Sequence, residues 1–250
     1  MSREARGKER LDTLLVARGL AETRARAQAL LLAGRVYTGE RRLEKPGMQV
    51  DRALPLTVRG TDHPWVSRGG IKLDYGLTYF EIDPSGLTAL DIGASTGGFT
   101  DVLCQRGARR VYAVDVGYGQ LDVHLRDDAR VTVLERTNAR YLSRAEVPAP
   151  IDLIVCDASF IGLRTILPAP LALARPGARL VALIKPQFEA GRGRVGKGGI
   201  VRDPAVHADV CETIRGWLAA EGWPVIGLTE SPIKGRDGNI EFLIAARRAS

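Results

Sequence analysis

The 250-residue chain is 45% hydrophobic and 26% charged, with a formal net charge of +7, and it is long enough to bury a real core as one large domain or a large and a small one. No apolar stretch approaches the length of a membrane span, and the first thirty residues are charged throughout, so neither a signal peptide nor a membrane anchor is expected. The cysteines, Cys104, Cys156 and Cys211, are far apart and lack metal-ligand spacing; they read as buried thiols of a reducing, cytoplasmic compartment, with no metal.

Residues 1–60 hold 13 Lys/Arg against 7 Asp/Glu, whereas residues 61–250 hold 23 against 22. This block predicts a polyanion-binding surface beside an electrically balanced body. Leu11, Leu14 and Leu15 recur at helical spacing, with Gly19 as a stop. Thr23 suits the N-cap of a second helix, whose Ala27, Leu30 and Leu31 face inward before Gly34 ends it. Short strand-like pieces, RVYTG and MQV, follow on either side of a Lys45-Pro46-Gly47 turn. Arg10, Arg24, Arg26 and Arg35 fall at polar positions around this small core, where arginines contact phosphates without sequence specificity.

The order RLDTLLVARGL, TRARAQALLLAGRV and a basic turn ending in KPG resembles the S4 RNA-binding domain. The resemblance implies binding to structured RNA, led by Arg10 and Arg24; a DNA-binding helical module is the competing reading. The stretch RGTDHP, residues 59–64, is punctuated by Gly60 and Pro64 and reads as a linker. The expected organisation is a small α+β domain over residues 1–60, a linker over 61–64 and a second domain over 65–250.

In the second domain, SRGGIKLDYGL is helix-like, and from residue 87 onward seven apolar runs alternate with amphipathic segments. They are LTALDIG, RRVYAVDVG, VTVLERT, IDLIVCDAS, RLVALIKP, PVIGLTES and NIEFLIAAR. Near-continuous apolar runs predict an α/β, Rossmann-like fold: a seven-stranded, mostly parallel sheet covered by helices on both faces. The short connection PIKGRDG makes the last two runs an antiparallel hairpin. Ligands bind such sheets at the carboxyl ends of the strands, so the residues closing each run matter most.

The first run closes in DIGASTGGFTD, residues 91–101. Asp91 and Gly93 end the strand, and Ala94, Ser95 and Gly97 form a turn that lets a ligand approach the backbone. A nicotinamide fingerprint needs a second glycine where Ser95 stands, and Asp115, 22 residues after Gly93, suits two ribose hydroxyls. These features fit both NAD and S-adenosylmethionine, and the missing glycine with the early Asp91 favours S-adenosylmethionine. Asp157 closes the fourth run, Lys185 closes the fifth, Glu241 lies at the start of the last, and Lys72 lies in the helix-like segment. Taken singly, Lys72 reads as a surface helix lysine and Glu241 as a polar strand position.

Together, the order Lys72, Asp157, Lys185, Glu241 resembles the catalytic tetrad of FtsJ-like ribose 2'-O-methyltransferases. With the S4-like start and the stretches SRGGIKL, DIGASTGGFTD, DVGYGQL, RTNAR, CDASF and KPQFE, the chain resembles the TlyA family, also described as haemolysin-like. The resemblance implies S-adenosylmethionine-dependent 2'-O-methylation of a ribose, a cytidine's, in ribosomal RNA. Large-subunit RNA is the leading target, because the chain ends soon after its last strand as the family's shorter members do; small-subunit RNA is the second. It further implies that Asp91, Gly93, Ala94, Ser95, Gly97, Asp115, Asn138 and Asp157 hold the cofactor. Arg136 and Arg140, flanking Asn138, would reach the RNA backbone. Lys185 would take the hydroxyl proton or orient the oxygen; a free lysine is a cation at neutral pH, so burial and Lys72 would favour the neutral amine while Asp157 and Glu241 oppose it.

Two alternatives remain at this level: an NAD(P)-dependent oxidoreductase, and an RNA-binding ribosome-assembly factor with little or no methyltransferase activity. The implied partners are ribosomal RNA or ribosomal subunits, with no membrane and no stable protein partner. A membrane-lytic role would need an insertion segment, and none is visible. Gly191, Gly196 and Lys197 match the start of a P-loop, but Gly198 stands where Ser/Thr would ligate magnesium. The stretch instead reads as Lys185 at a strand end followed by a basic flap, with Arg192, Arg194 and Lys197 facing RNA.

Overall fold

The computed structural model describes residues 7–18, 20–21, 23–58, 63–235 and 238–249. The chain divides into two compact units, Met1–Pro64 and Trp65–Ser250.

In the first unit the order is β1 (Lys8–Arg10), α1 (Leu11–Ala17), α2 (Arg24–Leu32), β2 (Val36–Thr38), β3 (Arg41–Leu43), β4 (Gln49–Asp51) and β5 (Thr57–Val58). Leu11, Leu14, Leu15, Ala27, Leu30 and Leu31 are all buried, so the inward faces of both helices follow the apolar spacing. Thr23 caps α2 by accepting from the Arg26 amide at 3.1 Å. Gly34, at φ +67°, turns the chain after α2. Gly19, the expected stop of α1, lies outside the described residues, as do residues 59–62 of the expected linker. The MQV piece forms β4 and pairs with β1, while β2 pairs with β3 and β5. The strands β1, β3 and β5 were not expected, because two or three residues are too few to show an alternating pattern.

The second unit runs α3 (Gly69–Tyr79), β6 (Thr88–Ile92), α4 (Gly98–Gln105), β7 (Arg110–Val114), α5 (Val123–Arg126), β8 (Val131–Leu134), β9 (Ile151–Cys156), α6 (Leu163–Ile166), α7 (Pro168–Ala172), β10 (Ala174–Ile184), α8 (Pro186–Glu189), α9 (Pro204–Ala220), β11 (Val225–Glu230) and β12 (Phe242–Arg247). Its seven-stranded sheet has the order β11-β12-β10-β9-β6-β7-β8, and only β12 runs against its neighbours. The α/β fold expected from the seven apolar runs is therefore the observed one.

Alternation along each strand feeds two cores. Leu90, Ile92, Ile154, Cys156, Leu180 and Ile184 pack toward α6, α7 and α9, where Leu167, Val210, Ile214 and Leu218 meet them. Ala89, Leu153, Val155, Val181, Leu183 and Leu243 pack toward α3 and α4, against Leu73, Leu77, Phe99, Val102 and Leu103. Both faces are covered, which is why these strands read as continuous apolar runs. The three cysteines are buried free thiols.

Candidate active site

The topology brings distant residues to one edge. Cys156 pairs with Ile92 across β9 and β6, and Ile184 pairs with Phe242 across β10 and β12. Asp157 and Lys185 therefore emerge at the carboxyl ends of parallel strands. Because β12 is antiparallel, its first residues lie at that same edge, and Glu241 directly precedes it.

Four charged groups form a row there. Lys72 Nζ donates to Glu241 Oε2 at 2.6 Å and lies 3.8 Å from Asp157 Oδ2. Asp157 Oδ1 lies 2.6 Å from Lys185 Nζ, close in distance but not aligned as a hydrogen bond. Lys185 Nζ donates instead to the Asp157 carbonyl oxygen at 3.2 Å and to Ser159 Oγ at 2.9 Å. Lys72, Lys185 and Glu241 are all buried, and alternating signs make the row formally neutral. The reading of Lys72 as a surface helix lysine is overturned. It lies on the buried side of α3 with Gly70, Leu73, Gly76 and Leu77, and Glu241 meets its charge there.

The turn after β6 is built for close approach. Gly93 sits at φ +83°, and a Cβ there would meet the Ala158 backbone at 3.0 Å. Gly97, at φ +96°, precedes α4, and a Cβ on it would lie 2.3 Å from Leu125 Cδ1. Ser95 holds a left-handed φ of 49°, and its amide donates to Asp115 Oδ2 at 2.8 Å. Asp115 Oδ1 accepts from the Gly117 amide at 2.7 Å. A small, shallow cleft lies between Ala94, Ser95, Asp115, Gln120, Val133 and Glu135. Asp91 is fully buried; its Oδ2 accepts from Thr100 Oγ1 at 2.6 Å, while Oδ1 has no hydrogen-bond partner among the described residues. Burial, with smaller contributions from the Asp157 and Asp115 charges, pushes its carboxyl up to about 7, against the Thr100 hydrogen bond.

The other expected positions are spread out. Asn138 does not line the cleft; its carboxamide oxygen accepts from the Arg140 amide at 3.1 Å. Arg136 is exposed, at a left-handed φ of 52°, and lies 4.2 Å from the Tyr118 ring centre. Arg140 is exposed and lies against Tyr141. In the first unit Arg10 Nη2 and Arg24 Nε converge on the buried Asp12 at 3.0 and 2.9 Å, Arg26 is exposed, and Arg35 contacts His63. The hydrogen bonds from Arg10 hold the Asp12 carboxyl well below the usual carboxylate range. After Lys185, the exposed Arg194 pairs with Asp209 on α9 and donates to the Ala190 carbonyl. Lys197 is exposed, and the Arg192 side chain lies outside the described ones.

Three features escaped the sequence reading. Ser159 binds Lys185. Phe160 is 91% exposed at a left-handed φ of 66°, its ring 5.2 Å from that of Phe188. Asn239, 1% exposed, accepts from the Val201 amide at 2.9 Å and donates to the Gly199 carbonyl at 3.0 Å, pinning the flap two residues before Glu241.

Residues 65–248 match the family of FtsJ-like methyltransferases. The chain belongs to that family. Residues 9–53 match the S4 domain. This FtsJ-like methyltransferase is 55% identical over 238 residues to YqxC of Bacillus subtilis (strain 168), covering 95% of this chain and 85% of the relative. It is 46% identical over 239 residues to the 16S/23S rRNA (cytidine-2'-O)-methyltransferase TlyA of Mycobacterium tuberculosis (strain ATCC 25618 / H37Rv), covering 95% and 89%. A solved hemolysin-type structure from Streptococcus thermophilus superposes with a TM-score of 0.77 at 43% identity, covering 98% of this chain and 90% of the other. Among the described residues, no helix is long and apolar enough to cross a membrane.

Proposed function

We propose that this FtsJ-like methyltransferase transfers a methyl group from S-adenosylmethionine to the 2'-hydroxyl of a cytidine ribose in ribosomal RNA. Residues 1–60 serve as the RNA-binding domain, 61–64 as the linker and 65–250 as the catalytic domain. Ribosomal RNA as substrate places the enzyme in the cytoplasm. The observation that carries the reading is the neutral row Lys72–Glu241 and Asp157–Lys185 at the carboxyl edge of the sheet.

The residues present fit the cofactor. Asp91 Oδ1 is a buried acceptor without a partner, suited to an ammonium group. Each Asp115 oxygen accepts one backbone N–H, which leaves lone pairs for two ribose hydroxyls. Gly93, Ala94, Ser95 and Gly97 supply a backbone without obstructing side chains, and Asn138 stands at the neighbouring strand end. When bound, S-adenosylmethionine supplies a methyl already activated by its sulfonium.

The protein's own work is therefore to position the ribose oxygen and handle one proton. Lys185 Nζ receives or orients the hydroxyl at the strand end. Asp157 holds Lys185 on one side and faces Lys72 on the other; the Lys72–Glu241 pair keeps this arrangement neutral in a largely water-free position. Phe160, exposed beside the row, offers a stacking face to an RNA base, and Arg10, Arg24, Arg26, Arg35, Arg136 and Arg140 supply phosphate contacts. Incubation with methyl-labelled S-adenosylmethionine and separated ribosomal subunits tests the reading. Label mapped to a cytidine 2'-oxygen supports it; label on a base, or none on either subunit, overturns it.

A further inference from the structure

Among the described residues, Lys185 Nζ has three oxygen neighbours: Asp157 Oδ1, the Asp157 carbonyl and Ser159 Oγ. The carboxylate and the carbonyl can only accept hydrogen bonds. A hydroxyl both donates and accepts, and it rotates freely to do either. Ser159 is exposed on the loop after β9, while Lys185 is 6% exposed. The hydroxyl thus stands between the buried amine and the open side of the site. The next residue, Phe160, holds a left-handed φ of 66°, so the loop keeps this conformation against a local preference for another.

We infer that Ser159 is a positioning residue for Lys185: its hydroxyl is the one neighbour that can reverse its role as the lysine changes protonation state. The inference rests on the proposed 2'-O-methylation. A neutral Lys185 amine has two N–H groups and one lone pair. One N–H goes to the Asp157 carbonyl, the other faces the Asp157 carboxylate 2.6 Å away, and Ser159 then donates to the lone pair or yields that place to the ribose hydroxyl. As the oxygen–methyl bond forms and the methyl–sulfur bond breaks, the sulfur keeps the bonding electron pair and the hydroxyl proton passes to Lys185. The resulting ammonium has a third N–H to satisfy, and Ser159 Oγ, 2.9 Å from Nζ, accepts it. Lys72, Asp157 and Glu241, the charged groups facing Lys185 along the row, cannot substitute. Lys72 only donates, and the carboxylates only accept.

Ser159→Ala and Ser159→Thr test this at an exposed position, with thermal unfolding of both variants verifying that the fold is kept. Because a positioned proton-transfer group contributes about 10²–10⁴-fold in rate, loss of its partner should lower kcat by about tenfold or more. The KM for RNA and the affinity for S-adenosylmethionine should stay within about twofold of wild type, and Ser159→Thr, which keeps the hydroxyl, should recover most of the rate. A second readout needs no cofactor or RNA: the Lys185 ammonium resonance of the ¹⁵N-labelled protein, assigned by its absence in Lys185→Arg. It should be exchange-protected in wild type and Ser159→Thr and broadened in Ser159→Ala. A wild-type kcat in Ser159→Ala, an equal loss in Ser159→Thr, or an ammonium signal unaffected by removing the hydroxyl would overturn the assignment. If wild type methylates no ribosomal RNA, the proposed activity fails, while the ammonium signal still decides whether Ser159 holds Lys185.

Discussion

Glu241 Oε2 lies 2.6 Å from Lys72 Nζ across 169 residues of sequence, with both side chains buried. Helix α3, ahead of the first strand of the sheet, and the start of β12 are thus joined by one charge pair at the carboxyl edge of the sheet.

Breaking that pair should be felt in stability as well as in catalysis. Glu241→Ala leaves the Lys72 ammonium buried with only the more distant Asp157 as counter-charge, and should destabilise the domain by about 3 kcal/mol. The double variant Lys72→Met/Glu241→Leu removes both charges and should recover most of that loss while remaining inactive. Chemical denaturation of the single and double variants checks this; equal destabilisation by both would show that the pair is not the cause.

Asp91 predicts a pH dependence with a definite sign. Its folded carboxyl value, about 7, lies above the ordinary value, so the folded state binds more protons than the unfolded one in between. Its contribution to stability is fully present below about pH 4, declines as pH rises toward 7 and is exhausted above that. Asp91→Asn should lack this descending component. Denaturation midpoints of variant and wild type compared across that range provide the measurement, and parallel curves would refute the assignment.

On the RNA side, Arg24 is half-exposed and is anchored at its Nε to the buried Asp12. Arg24→Ala should weaken RNA binding and lower the steepness of its salt dependence by about one phosphate contact. Fluorescence titrations at several salt concentrations test this, and an unchanged slope would remove Arg24 from the contact surface.

Phe160→Ala removes an aromatic ring that is 91% exposed, so it should leave the unfolding midpoint unchanged. Loss of a stacking face is worth about 1–3 kcal/mol per base, so RNA affinity or turnover should fall by roughly tenfold or more. Full activity in this variant would assign the ring no part in substrate binding.

The central strands were legible because β6, β9 and the end of β10 are buried on both faces and read as unbroken apolar runs, and the strand ends pointed to Asp91, Asp115, Asp157 and Lys185. Lys72 was harder to read. Its inward direction shows only when it is placed on the same helix stripe as Leu73, Gly76 and Leu77, and its partner lies at the far end of the chain. Ser159, Phe160 and Asn239 carried no periodic signal at all. Their orientation follows from a left-handed loop residue and from side-chain hydrogen bonds to distant backbone, and a linear pattern encodes neither. Arg194 likewise has a partner, Asp209 on a later helix, that its glycine-rich surroundings in the sequence do not show.

The measurement that bears most directly on the role of the charged row is methyl transfer by Lys185→Ala to ribosomal subunits, paired with calorimetric binding of S-adenosylmethionine. Lys185 touches Asp157 and Ser159 at the strand end, while Asp91 and Asp115 flank the turn after β6 that is proposed to hold the cofactor. The variant should therefore lose about 10²-fold or more in kcat while binding S-adenosylmethionine within about threefold of wild type. Near-normal methylation by Lys185→Ala would contradict the account.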